Sequence, residues 1–100
     1  MARVRIKQIN PTYLSKVYFL KDAKEFVRNN RNAYLTLPAM TVDKTGFAAA
    51  EEMFDLTNNP SREDERQEVY GNGRSLSVGD IVEVDGVEYF CDSFGWKILD

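Results

Sequence analysis

The sequence contains no histidine in 100 residues. That removes the commonest general base, the Ser/His and Cys/His nucleophile pairs and the most frequent metal-ligating side chain. Cysteine is nearly absent as well. Cys91 is the only one, so no internal disulfide can form, and its place in an apolar run predicts a buried, inert thiol in a reducing compartment. Its neighbour Asp92 would raise its pKa and so oppose nucleophilic use. No stretch reaches eighteen consecutive apolar residues, and the basic start MARVRIKQIN lacks an apolar segment of signal-peptide length. Membrane spanning and secretion are therefore not expected. With 3 prolines and 6 glycines there is no Pro/Gly-rich linker, repeat or low-complexity tract, and residues 1–100 read as one domain.

What is present suits a single core: 43% of the residues are hydrophobic, and a chain of this size buries roughly two thirds of its unfolded surface. The net charge of −3 conceals an asymmetry. Residues 1–31 hold Arg3, Arg5, Lys7, Lys16, Lys21, Lys24, Arg28 and Arg31 against Asp22 and Glu25, a balance of +6. The remaining residues hold 5 basic groups against 14 acidic ones, a balance of −9. Two poles follow, either as complementary solvated surfaces of one fold or as patches for charged partners.

Val4 and Ile6 alternate with Arg3, Arg5 and Lys7, which predicts a strand with one cationic face, ended by Asn10 and Pro11. The run Lys16 to Leu20 reads as a second strand or as the start of a helix. Asp22 with Glu25 three positions on forms a capping-box variant, predicting helix from Ala23 with Phe26 and Val27 inward and a stop at Asn29 and Asn30. Ala33 to Val42 has strand composition, but Pro38 lacks the amide of a central ladder, so an edge or broken strand is expected. Thr45 to Leu56 predicts a helix with Phe47, Ala50, Met53 and Phe54 inward, Phe54 anchoring it to the sheet, and Glu51, Glu52 and Asp55 outward. Ser61 with Asp64 starts a second, charged helix in which Glu63, Asp64 and Glu65 favour the positive end of the dipole.

In IVEVDGVEYF, Asp85 and Gly86 supply a type I′ turn, which pairs Val84 with Val87, Val82 with Tyr89 and Glu83 with Glu88. Val82, Val84, Val87, Tyr89 and Cys91 then share the core face. The Glu83/Glu88 pair on the other face costs a few tenths of a kcal/mol unless water or a cation attends it, and Lys97 is the nearest candidate. Trp96 and Ile98 alternate with Lys97 after Gly95, adding a third strand. The fold class expected is α+β, a small antiparallel sheet with a C-terminal three-stranded meander packed against two or three helices.

Candidate chemistry is sparse. The carboxylate pairs Glu51/Glu52, Glu63/Glu65 and Glu83/Glu88 all fall on faces expected to be solvated, where pKa values stay ordinary. No loop has the ligand spacing of a calcium site, and no metal or cofactor is predicted. The loop GNGRSLS, Gly71 to Ser77, could turn amides toward an anion but lacks the Gly-Lys-Ser/Thr ending and leads into a strand, so a conformational role for Gly71 and Gly73 is favoured. Arg3, Arg5 and Lys7, with Tyr13 and Tyr18 nearby and Arg74 in that loop, form an alternative anion-binding set for nucleic acid or nucleotide, although a pI near 5.0 argues against a dedicated binder.

Three segments, FDLTNNP, GRSLSVGDIVEVDG and YFCDSFGWKIL, resemble the YodL-like domains of phages and mobile genetic elements. Those domains share a helix ending in Phe, Asn and Pro, a Ser-Leu-Ser-Val-x-Asp turn, a hairpin and a terminal Asp-Ser-Phe-Gly-aromatic stretch. The likeness covers the C-terminal half and is dense over Ser75, Leu76, Ser77, Val78, Asp80, Tyr89, Asp92, Ser93, Phe94 and Gly95. The acidic segment 61–72 departs from the pattern, as does Gly79, where many relatives carry serine. The resemblance implies an accessory protein that acts in the host cytoplasm against host defences, with no agreed activity.

On the residues alone, Ser75, Ser77, Asp80, Asp92 and Ser93 have structural work as partners of turn amides. The leading expectation is a non-enzymatic protein, monomer or small homo-oligomer, that binds and inhibits or redirects a host protein. Its contact surface would be the acidic face of Glu51, Glu52, Asp55, Glu63, Asp64, Glu65 and Glu68.

Overall fold

The computed structural model describes residues 1–17, 20–69, 75–93 and 95–99. They form a six-stranded antiparallel sheet with helices packed on it, an α+β fold. Strand β1 (Ala2–Ile9) lies inside the sheet. On one side it pairs with β2 (Tyr34–Thr36) and β3 (Met40–Val42), and on the other with β4 (Ile81–Val84), beyond which lie β5 (Val87–Asp92) and β6 (Gly95–Ile98). β2 and β3 occupy successive stretches of the same edge of β1, interrupted at residues 37–39. Both expected forms are met: the segment lies at the sheet edge and is broken at Pro38, which can donate nothing to a ladder.

The hairpin has the register dictated by its two-residue turn: Val84 faces Val87, Val82 faces Tyr89 and Glu83 faces Glu88. Asp85 and Gly86 carry the required positive φ, 48° and 87°. Cys91 faces Trp96 across β5 and β6, completing the meander.

Asp22 caps α2 (Ala23–Asn29), its Oδ1 accepting the Glu25 amide at 3.1 Å, and Asn30 ends it. The segment before it contains a short turn of helix, α1 (Leu14–Val17); Tyr18 and Phe19 lie outside the described residues. The long helix α3 spans Gly46–Asn58, and α4 spans Glu63–Val69. The start of α4 differs from expectation. Asn59 accepts the Ser61 amide at 3.0 Å across a 3₁₀ turn at Pro60–Arg62, because Pro60 has no amide of its own and fixes the first turn one residue early.

The inward positions expected for α3 hold at Ala50 and Met53 and fail at Phe47 and Phe54. Ala49, Ala50, Met53, Leu56 and Thr57 are buried, whereas Phe47 and Phe54 are 51% and 37% exposed. The two adjacent alanines let the backbone approach Val4, Ile6, Val82, Val84 and Tyr89 on the sheet, a separation that a phenyl ring could not share. Phe54 instead meets the sheet margin edge-on at Trp96, with ring centroids 6.3 Å apart. Val87, expected in the core, is 41% exposed at the hairpin tip.

The opposite face is not simply solvated. Ile81 and Phe90 are buried there with Ala23 and Val27 of α2, and Ile9, Val17 and Ala33 form a third apolar cluster. Burying Phe90 alone contributes roughly 2–3 kcal/mol. Gly79 sits where a Cβ would stand 2.8 Å from Val17 Cγ2, at φ +100°, so a serine there would not fit without a shift.

Candidate functional site

The acidic helices are fastened by one side chain. Arg62, 19% exposed, donates two hydrogen bonds to Glu52 (3.0 and 2.8 Å), one to Asp55 (2.7 Å) and two to Glu65 (2.6 and 3.0 Å). Its bonds hold the carboxyls of Glu52, Asp55 and Glu65 below the usual range and raise its own pKa. Glu63 faces Arg66 at 3.8 Å and accepts from Gln67 at 3.0 Å. Glu51, Asp64 and Glu68 are exposed and do not join the Arg62 cluster. Seven candidate carboxylates thus lie on α3 and α4 beside Arg66 of α4 and Arg62 of the turn between the helices, and three of them are tied into a single unit.

The cationic strand has a different fate. Arg5 lies directly across from Glu83 and bonds it at 3.1 Å. Lys7 reaches both Glu83 (3.2 Å) and Glu88 (2.7 Å), and Arg31 grips Glu88 with two bonds of 2.6 and 2.7 Å. Three cations therefore neutralise the like-charged cross-strand pair, and Lys97 does not: it lies 3.2 Å from Asp92. The Glu83 and Glu88 side chains are only 18% and 12% exposed, contrary to the solvated face expected. Arg31, followed by Lys7, pulls the Glu88 carboxyl down to about 2 against the cost of its burial. Arg5 and Lys7 are thus committed within the fold, Arg3 is exposed with its amide bonded to Asp85 at 2.9 Å, and Arg74 lies outside the described residues together with Gly71, Gly73 and Phe94.

The Ser/Asp turn residues do structural work. Asp80 is fully buried; its Oδ1 accepts the Ile9 amide at 2.8 Å and its Oδ2 the Ser77 amide at 2.9 Å. Ser75 donates to the Thr57 carbonyl at 2.6 Å, while Thr57 Oγ1 accepts the Leu76 amide at 3.1 Å and Asn58 donates to the Leu76 carbonyl at 3.1 Å. The end of α3 is thereby stitched to the segment entering β4, which assigns Thr57 and Asn58 a role that their place in a helix-ending Asn run did not disclose. Asp92 accepts the Ser93 amide at 2.6 Å.

A hollow of about 420 Å³ opens beside this stitching, lined in part by Phe54, Ser77, Cys91, Asp92, Ser93 and Trp96. Burial, then the charges of Asp80 and Asp92, pushes the Cys91 thiol up to about 12, so it stays protonated and a poor nucleophile at neutral pH. Burial also raises Tyr34, whose hydroxyl donates to the Gly79 carbonyl at 2.6 Å. Among the described residues no three His, Cys, Asp or Glu side chains are placed to hold a metal ion, and no helix is long and apolar enough to cross a membrane. No family model, curated protein or solved structure matches the chain.

Proposed function

We propose that this chain is a non-enzymatic binding protein that presents the acidic surface of α3 and α4 to a basic partner protein. The observation that supports this best is the Arg62 cluster. By joining Glu52 and Asp55 of α3 to Glu65 of α4, it holds the two helices as one preformed surface, and a surface ordered in advance loses less entropy on binding. The excess of carboxylates steers a cationic partner into encounter. Taken with the resemblance of its C-terminal half to YodL-like domains, the reading becomes a phage or mobile-element accessory protein that covers a basic functional surface of a host protein.

The test is affinity purification from host cells of the wild-type chain and of a Glu63→Lys, Asp64→Lys, Glu68→Lys variant, which leaves the Arg62 cluster intact. The partner should be lost from the variant while its circular dichroism is unchanged. Equal recovery of the same partner would discard the acidic-surface reading.

A further inference from the structure

On the other face of the sheet, the cations of α2 are not consumed as those of β1 are. Lys24 and Arg28 stand one turn apart on the exposed side of α2, and with Arg31 they line a hollow of about 260 Å³. An adjoining hollow of about 320 Å³ is lined by Lys21, Lys24 and Lys97 together with Asp22, and the two share Lys24 and Leu99. Among the described residues no carboxylate pairs with Lys21, Lys24 or Arg28. Arg31 shares Glu88 with Lys7, so the cluster of Arg5, Lys7, Arg31, Glu83 and Glu88 carries one excess positive charge. The acids on the same segment are Asp22, occupied as a helix cap, and Glu25; Asp92 is matched by Lys97.

The geometry points to a track for a polyanion. A single anion would fill one hollow, but two joined hollows with Arg28, Lys24 and Lys21 in file, flanked by Arg31 and Lys97 that are already bonded to Glu88 and Asp92, suit a chain of repeating charges. Lys24 and Arg28 are separated by about 6 Å of helix rise, of the order of the spacing of successive phosphates on one strand. We propose that this surface binds the sugar–phosphate backbone of nucleic acid without regard to sequence. It uses neither the acidic helices nor the strand cations Arg5 and Lys7, and so is independent of the function proposed above.

Fluorescence titration of the whole protein with labelled single- and double-stranded DNA and RNA, from low to physiological salt, tests it. Binding should weaken as salt rises, with a log–log slope of about −2 to −3 for roughly three neutralised phosphates. Lys24→Glu with Arg28→Glu should cost at least about tenfold in affinity and flatten the slope by about two, Lys24→Ala alone should flatten it by about one, and Lys44→Glu on the acidic side should lower neither. Affinity independent of salt, or unchanged by the double substitution, would overturn the proposal. So would equal binding of polyglutamate, which would assign the track to an acidic protein. Self-association in sedimentation that the same substitutions abolish, with no nucleic acid bound, would assign it to a second copy.

Discussion

The two faces of the sheet are closed by different physics. Under α3 the contact is apolar and close: two alanines, Met53 and Leu56 lie on Val4, Ile6, Val82 and Val84. On the other face the apolar patch of Ile81 and Phe90 under α2 adjoins a sunken ion cluster. The first arrangement draws its stability from area removed from water and does not respond to pH. The second places carboxylates where burial alone would neutralise them, and keeps them charged through three cations. The lesson is that a like-charged cross-strand pair can be an anchoring point for distant chain, since Arg5, Lys7 and Arg31 all converge on Glu83 and Glu88.

The comparison breaks most readily at the apolar face. Met53→Ala should cost about 2–4 kcal/mol in urea unfolding, and the loss should be the same at pH 7 and pH 3.5. An ionic-face substitution should behave otherwise. Glu88→Gln should cost about 2 kcal/mol at neutral pH and progressively less in acid. The sign follows from the lowered carboxyl: Glu88 contributes stability above its ordinary value of 4.5, and this is lost as pH falls from there toward about 2. The wild type should therefore lose stability across that window, and the variant should show a shallower decline; parallel pH profiles would mean that the cluster contributes nothing net. A smaller effect is expected at Arg62→Ala, under about 1 kcal/mol globally, but with faster amide exchange in α4. Smallest is the reactivity of Cys91, which should alkylate slowly at pH 8 and at a rate that follows unfolding, because its thiol is held protonated.

Legibility in the sequence followed the range of the determining interaction. Hairpin register, the Asp22 cap and the break at Pro38 each depend on residues a few positions apart, and all three were readable. The inward line of α3 was readable at Ala50 and Met53 but not at its phenylalanines: Phe47 and Phe54 dominate any hydrophobic periodicity, yet the inward side is set by which side chains are small enough for close approach. The partner of Glu88 was equally hidden. Lys97 is near in sequence, but β1 lies beside β4, and that pairing brings Lys7 within reach from 81 residues away. For the candidate site, the acidic residues could be named, whereas Arg62 as their common fastener depends on how α4 folds back on α3.

The interior position of β1 has a consequence for how the molecule is made. Its main chain bonds to strand β4 and to the hairpin tip, where the Asp85 amide donates to the Arg3 carbonyl at 2.9 Å. During translation the first nine residues therefore wait, without their central ladder partner, until the ribosome has released residue 85. Contacts so remote along the chain slow folding and leave strand edges open meanwhile. The alternating arginines and lysine of β1 are well suited to that interval, since a nascent strand that repels its own copies is slow to aggregate.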